Sequence, residues 1–225
     1  MPGVIILDVA GVIAGTAIGC LLKRFISTKL NDNMNLALAV ISAAIGVQLL
    51  GKAVHMAAAV LALLSGGLAG YMLGIDRRLS ELSQHLPASG GESAQILLVA
   101  FTLYCLSTTG VIGALSLGFT GDTSVLATKA IMDFVASVFF AAQSGWVLAL
   151  ISIPLAVMLF VLYGLSGLLM PHLTPEMIGD FSACGGLIQL LNGMRIAKLR
   201  DPPVADFIPS LILVFFISMI WMKLM

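Results

Sequence analysis

A lysine and an aspartate lie four residues apart, at Lys129 and Asp133, inside a stretch that is otherwise apolar from Ser124 to Gln143. On a helix this spacing places both side chains on one face, one turn apart. Because charges that face lipid are costly, we expect the pair to face a protein interior or a water-filled cavity. The pair therefore predicts either a polar site on a permeation path or an ion pair that only holds neighbouring helices together.

A second polar group interrupts the preceding apolar run, where Ser107, Thr108 and Thr109 come directly before Gly110. Hydroxyl side chains followed by glycine favour local unwinding of a membrane helix, which leaves carbonyls and hydroxyls to coordinate an ion. The alternative is ordinary helix packing through small residues. We assign the three hydroxyls to the same predicted ion or solute site.

Two amides on a later apolar run, Gln189 and Asn192, are three residues apart and share a helix face. Such amides either form hydrogen bonds between helices or contact a solute. We include both in the predicted site, opposite the hydroxyls.

Further ionisable residues lie near the ends of the apolar runs. Asp8, His55 and Asp206 come about one turn inside their runs, and Asp122 lies in a turn between two of them. Carboxylates at such positions cap helix N-termini or line an entrance. We predict these four as candidate vestibule or gate residues and Asp180 as a cap of its own helix.

Composition places the chain in a membrane. Of 225 residues, 60% are hydrophobic and 10% are charged, and the mean hydropathy is +1.09, whereas soluble domains carry about a quarter charged residues. The net charge is zero without a basic run, so we expect no nucleic-acid partner. The three cysteines lie in apolar runs, which favours neither disulfides nor a metal site. Since no catalytic motif is present, we expect no enzymatic activity and no cofactor.

The apolar segments predict an all-α polytopic protein with about eight transmembrane helices, several of them near the short end of the roughly 17–25 residues that a span needs. The predicted spans are Val4–Leu22, Met34–Leu50, Ala53–Gly74, Gln95–Leu117, Ser124–Gln143, Trp146–Met170, Met177–Met194 and Val204–Leu224. The first is expected to be a retained span, because no basic segment precedes it.

Lysine and arginine indicate the orientation. They concentrate after spans one, three and seven, which share one side of the membrane if there are eight spans. The positive-inside rule then places both termini outside. The cytoplasmic loop 75–94 is expected to be a solvated connector, with a short amphipathic helix in its first half as the alternative.

An internal repeat relates spans one to three to spans six to eight. The run that leads to Gly46 has an ungapped counterpart that leads to Gly193, with Ser42 aligned to Gln189. Since equivalent spans are five positions apart in the order of spans, the copies must be inverted, a recurrent plan of transporters. We predict a single transmembrane domain, 1–225, composed of a first repeat (3–74), the loop (75–94), a central helical hairpin (95–145) and a second repeat (146–225).

The segment from Thr120 to Phe134, with its Thr-Gly-Asp turn, Lys129 and the Met-Asp pair that ends at Asp133, resembles the domain-of-unknown-function 554 family of bacterial and archaeal membrane proteins. The likeness covers nearly the whole chain, and it implies a multi-pass protein of the prokaryotic cytoplasmic (inner) membrane. Where the family pattern has Asn in the first and last spans, this chain has Asp8 and Asp206. The resemblance implies no particular substrate.

These patterns favour a membrane transporter or channel for a small ion or solute, with a charged site on spans four, five and seven. The alternative is a non-transporting membrane scaffold or sensor in which Lys129 and Asp133 pair directly in a packed interior. The expected partners are the lipid bilayer and a small ion or solute. A homo-oligomer is a further expectation, because the chain is rich in small residues, including 23 glycines.

Overall fold

The computed structural model describes residues 2–84, 91–105 and 107–224, and every regular element in these ranges is helical. The predicted all-α class is therefore confirmed. The helices are α1 (Gly3–Leu22), α2 (Thr28–Leu50), α3 (Met56–Leu73), α4 (Ile75–Gln84), α5 (Gly91–Cys105), α6 (Thr108–Thr120), α7 (Ser124–Ser144), α8 (Ser152–Leu169), α9 (Pro175–Ile196) and α10 (Ile208–Leu224).

Three predicted spans are not a single continuous α-helix. The fourth span consists of α5 and α6, which meet at Ser107. The sixth and eighth spans each begin with a 3-10 turn, Gly145–Ile151 before α8 and Val204–Phe207 before α10. Gly145 itself has a φ of 74°, a left-handed conformation that glycine adopts without steric cost, and it ends α7.

Loop 75–94, which was expected to be a solvated connector, is helical over its first half. α4 occupies Ile75–Gln84 and starts with Asp76 in its first turn. Apolar and charged residues alternate with helical spacing in this segment, so the amphipathic alternative is correct there. The second half of the predicted loop, including His85, lies largely outside the described residues.

Six helical stretches in the described parts of the chain are long and apolar enough to cross a membrane. One of them contains both α7 and α8, and α9 is not among them because its sequence is more polar. The candidate stretches are Gly3–Leu22, Thr28–Leu50, Met56–Leu73, Ile96–Thr120, Ser124–His172 and Val204–Leu224.

The chain divides into two compact units that interleave along the sequence. The first unit contains residues 1–35 and 80–172, and the second contains residues 36–79 and 173–225. Each unit thus combines two segments that are far apart in the sequence.

In the first unit, α1 lies alongside α7 at close range. A Cβ on Gly15 would come within 2.5 Å of the carbonyl oxygen of Phe134, and a Cβ on Gly19 would clash with the carbonyl of Val138. Both glycines therefore permit a backbone approach that no larger residue allows. Because the contacts advance in the same direction on both helices, α1 and α7 are parallel.

The other helices of the first unit surround this pair. α6 returns antiparallel to α7, since Gly113 faces Leu126 and Gly110 faces Lys129. α8 packs against both α1 and α6, and α5 packs against α7.

In the second unit, α3 packs against α10 and the 3-10 turn that leads into it, with Gly66 against Ser210 of α10 and Gly70 against Asp206 of the turn. These contacts run in opposite directions along the two helices, so the pair is antiparallel. α9 packs against both, and most of its side chains are buried.

Candidate functional site

Three charged side chains from two helices meet inside the first unit. Nζ of Lys129 donates to Oδ2 of Asp8 at 3.1 Å, and it makes a second, shorter hydrogen bond to Oδ2 of Asp133. The exposed fractions of the side chains are 4% for Lys129, 0% for Asp8 and 7% for Asp133. The expectation that Lys129 and Asp133 share an inward face is confirmed. We call these three residues the charged cluster.

Helix register explains why Asp8 reaches Lys129. Each is the sixth residue of its helix, α1 and α7 respectively. Because the two helices run parallel in contact, residues at equal depth face each other. The sequence places Asp8 among the candidate vestibule or gate residues, but the structure places it against the central pair. The sequence already shows that Asp8 and Lys129 have the same position within their helices. This similarity indicates a contact only once α1 and α7 are known to be parallel neighbours.

The charged cluster contains one more acid than base. Its single ammonium group can balance one of the two carboxylates. Oδ1 of Asp8 is buried, and no hydrogen-bond donor among the described residues reaches it. With both acids ionised the cluster would carry one net negative charge, and an uncompensated buried carboxylate is strongly unfavourable.

The break between α5 and α6 lies beside the charged cluster. Ser107 has an extended backbone (φ −75°, ψ 132°), and its Oγ caps α6 by accepting the N–H of Gly110 at 3.1 Å. Thr109 donates to the same Oγ at 3.2 Å, and Thr108 is buried. A Cβ on Gly110 would lie 3.0 Å from Cε of Lys129. The predicted local unwinding is therefore confirmed, and Gly110 is where it adjoins the charged cluster.

A buried tyrosine and a buried serine near the charged cluster were not predicted from the sequence as site residues. Oγ of Ser137 donates to Oη of Tyr104 at 3.0 Å, and neither residue is exposed. The carboxylates of Asp133 and Asp8 both act electrostatically on Tyr104. Ser137 continues the four-residue spacing of Lys129 and Asp133, a signal that identifies it as part of the same face. Tyr104 has no comparable signal in the sequence.

Asp122 lies apart from the cluster, in an exposed turn between α6 and α7. Its Oδ1 accepts the backbone N–H of Ser124 at 2.9 Å, and this hydrogen bond lowers the pKa of Asp122 below its ordinary value. The carboxylate thereby satisfies an amide at the start of α7. Its assignment to a vestibule or gate stays a prediction.

In the second unit, Asp180 is a buried carboxylate surrounded by donors. Its Oδ1 accepts the backbone N–H groups of Val54 at 3.1 Å and His55 at 2.6 Å. Its Oδ2 accepts the hydroxyl of Ser218 at 2.6 Å and lies 3.1 Å from Nδ1 of His55. Asp180 thus holds the residues that precede α3, and it fixes the side chain of His55 there.

The prediction that Asp180 caps its own helix is wrong. Asp180 is the sixth residue of α9, too far along to reach the free amides of the first turn. Thr174 provides that cap, because its Oγ1 accepts the N–H of Met177 at 3.3 Å.

Asp206 belongs to another polar network of the second unit. Its Oδ1 accepts the N–H of Asp76 at 2.8 Å, and Oδ1 of Asp76 accepts from Nη1 of Arg195 and from the N–H of Ala205, both at 3.3 Å. Nε of Arg195 lies 2.6 Å from Oδ1 of Asp201, in an orientation that makes an ion pair but no hydrogen bond. Asp206 therefore satisfies an amide at the start of α4, in line with the capping alternative.

Gln189 and Asn192 lie on α9 in the second unit, and both are buried. The backbone carbonyl of Gln189 accepts the hydroxyl of Ser42 at 3.0 Å. Their predicted contact with a solute stays a prediction. Among the described residues, no group of three or more His, Cys, Asp or Glu side chains is arranged to hold a metal ion.

Comparison with known proteins identifies the family. The family model described as "Protein of unknown function (DUF554)" matches residues 3–219. The chain is similar to the uncharacterized protein YqgA of Escherichia coli (strain K12), with 31% identity over 224 residues that cover 96% of this chain and 95% of the relative. It is also similar to the uncharacterized membrane protein YdfK of Bacillus subtilis (strain 168), with 23% identity over 206 residues that cover 90% and 89% of the two chains. No solved structure matches. The chain is a helical membrane protein that belongs to the DUF554 family.

Proposed function

We propose that this protein is a membrane transporter or channel that binds a small cation at the charged cluster. The observation that carries the proposal is the unbalanced acid: two buried carboxylates face one ammonium, and Oδ1 of Asp8 has no donor among the described residues. Ionisable groups at membrane depth are costly, and they mark ion or proton pathways where they occur. A cation that binds beside Asp8 would neutralise the cluster, and its departure would restore the charge.

The broken helix beside the cluster supports the same proposal. Discontinuous membrane helices are typical of transporter binding sites, because the unwound backbone supplies polar groups at membrane depth. Here the α5–α6 break lies next to Lys129 through Gly110, which has no side chain to separate them.

Helix directions support eight membrane crossings. The apolar stretch that contains α7 and α8 has 49 residues. As one continuous helix it would measure about 74 Å at 1.5 Å per residue, more than twice the roughly 30 Å of a bilayer core. α8 also packs against α1 and α6, the same helices that flank α7, so it folds back beside them. We therefore count α7 and α8 as separate spans.

The direction of α10 supports a further crossing by α9. α3 and α10 are antiparallel, so an even number of crossings must separate them. The α5–α6 span, α7 and α8 make three crossings, and α9, with 22 residues, supplies the fourth. With eight crossings, the distribution of basic residues favours both termini outside the cytoplasmic membrane.

Contacts between α2 and α9 support the inverted repeat. A Cβ on Gly46 would lie 2.8 Å from the carbonyl oxygen of Gly186, and a Cβ on Gly193 would lie 3.0 Å from that of Ala39. The sequence repeat pairs Gly46 with Gly193 and, at the same offset, Ala39 with Gly186. Each contact is thus the repeat image of the other, as a two-fold axis between antiparallel helices requires. The Ser42–Gln189 hydrogen bond joins a third aligned pair.

Transport is tested by reconstituting the purified chain into proteoliposomes and measuring cation and proton flux under imposed gradients. We expect flux from the wild type and its loss in Asp8→Asn and in Asp133→Asn, because each variant removes the unbalanced acid. Asp32→Asn is the matched control, since it changes an exposed carboxylate that has no part in the proposed site, and it is expected to retain flux. Equal flux from all four proteins would contradict the proposal.

The membrane scaffold or sensor remains a second candidate, favoured by the direct pairing of Lys129 with Asp133 and by the burial of both. This candidate requires the charged cluster only for packing. It predicts no flux above that of empty liposomes, in the wild type as well as in the variants.

A further inference from the structure

We infer that the cation bound by the charged cluster is a proton, held by Asp8 or Asp133, with Lys129 as the permanent counter-ion of the other acid. The inference rests on the proposed function and specifies its ion. It also specifies the chemical state of the loaded charged cluster, which contains one carboxyl group, one carboxylate and one ammonium group.

Coordination chemistry favours a proton over a metal ion. Calcium takes about six to eight oxygen ligands, and magnesium needs an octahedron of them. At the cluster, Lys129 already occupies Oδ2 of both acids, so Asp8 offers its Oδ1 alone. A metal ion there would also be repelled by the nearby ammonium. A proton needs one lone pair, which Oδ1 of Asp8 supplies.

Packing around the cluster provides no other charge to balance the acid. α1 carries Asp8 and, twelve residues away, Cys20, and α7 carries only Lys129 and Asp133. Among the described side chains of α5, Tyr104 and Cys105 are titratable and both are neutral when protonated. α6 and the Gly145–Ile151 turn have no titratable residue, and α8 has Tyr163 alone. None of the described side chains on these elements therefore supplies a second positive charge to the two acids.

Proton loading is a simple acid–base step. An O–H bond forms at a carboxylate oxygen of Asp8 or Asp133 as a hydronium ion gives up its proton and becomes water. No electrons are transferred. Lys129 keeps its own proton, because one ionised carboxylate still faces it. The loaded cluster has no net charge, which lowers the cost of exposing it to a low-dielectric environment.

Infrared difference spectroscopy of the full chain in detergent tests this inference, because a protonated carboxyl group has a C=O band that an ionised carboxylate lacks. As the pH is lowered, the wild type is expected to gain about one buried carboxyl band per chain. Asp8→Asn and Asp133→Asn each leave one acid opposite Lys129, so both should lack this band. Lys129→Gln leaves two acids without a cation and should gain a second band. Asp32→Asn, the surface control, should match the wild type.

Replacing sodium with potassium or choline should leave the wild-type band unchanged. A band displaced by sodium, no titrating buried band in the folded wild type, or a full band in either folded Asn variant would overturn the inference. Elution from a sizing column and thermal melting establish which variants are folded. The proton inference makes the same prediction for both Asn variants, so either folded variant is a sufficient test. The exchange of sodium in the wild type is a further test that needs no variant.

Flux measurements separate this inference from the proposed function. A titrating band without flux in proteoliposomes would retain the proton site and remove transport. Sodium-dependent flux without a titrating band would retain transport and remove the proton.

Discussion

Two buried aspartates of this chain have opposite hydrogen-bonding environments. Asp180, in the second unit, accepts two backbone N–H groups and a serine hydroxyl and lies beside the ring nitrogen of His55. Asp8, in the first unit, is equally buried, yet one of its oxygens has no donor among the described residues, and it shares its only ammonium with Asp133. The same side chain is therefore satisfied in one place and incomplete in the other.

This difference separates a structural carboxylate from a candidate functional one. A fully hydrogen-bonded carboxylate repays its desolvation through fixed protein donors, so its removal should cost stability. A buried carboxylate without enough donors destabilises the folded state, so stability does not explain its presence. We propose ion binding as the explanation. Substitutions that remove one acid, or the base, test the distinction directly.

The largest expected effect comes from Lys129→Gln, which leaves two buried carboxylates without a cation. We expect a loss of about 3–5 kcal/mol in the free energy of unfolding. Denaturation in a fixed detergent measures it. Adding Asp8→Asn and Asp133→Asn should restore most of the loss, and failure of this triple variant to recover would show that Lys129 acts through packing.

Asp180→Asn is expected to lose about 2 kcal/mol, because an amide NH2 group replaces one of the two acceptor oxygens and faces donors. The same denaturation series measures this loss. His55 should become more accessible to solvent, which the rate of chemical modification of its imidazole measures. A change below about 0.5 kcal/mol, the range of an ordinary surface substitution, would remove the contrast between the two aspartates.

Asp8→Asn is expected to change the stability by less than about 1 kcal/mol, or to increase it, because it leaves Lys129 paired with Asp133 and removes the unbalanced charge. The direct comparison with Asp180→Asn uses the same chemical change at the same burial. A loss as large as that of Asp180→Asn would mean that Asp8 is a structural residue like Asp180.

The smallest effect is expected at the exposed Asp122, whose Oδ1 accepts the N–H of Ser124. Because this bond lowers its pKa in the folded state, its stabilisation is fully present above the ordinary value of about 4 and is lost as the pH falls through the lowered pKa. The difference in melting temperature between wild type and Asp122→Asn should therefore be small at pH 7 and vanish in acid. A difference that grows on acidification would contradict this reasoning.

The main helices were predictable from the sequence because membrane segments are recognised by their length and hydropathy. Sequence reasoning placed Lys129 and Asp133 on one inward face, and it identified the break at Ser107 from the run of hydroxyls that precedes Gly110. It failed at Asp180 and at the first half of loop 75–94. Asp180 accepts amides from residues that precede another helix instead of amides of its own helix. In loop 75–94, an amphipathic pattern of ten residues resembles a polar connector when no packing partner is known.

The sequence by itself determined an all-helical membrane protein of this family and the pair at Lys129 and Asp133, because apolar length and helical spacing are local properties. Only the tertiary structure decided that Asp8 joins that pair and that Asp180 is satisfied by residues before α3. Those contacts join residues 121 to 126 positions apart, and they depend on which helices are neighbours and in which direction they run. Helix packing fixes both, and a single sequence does not display them.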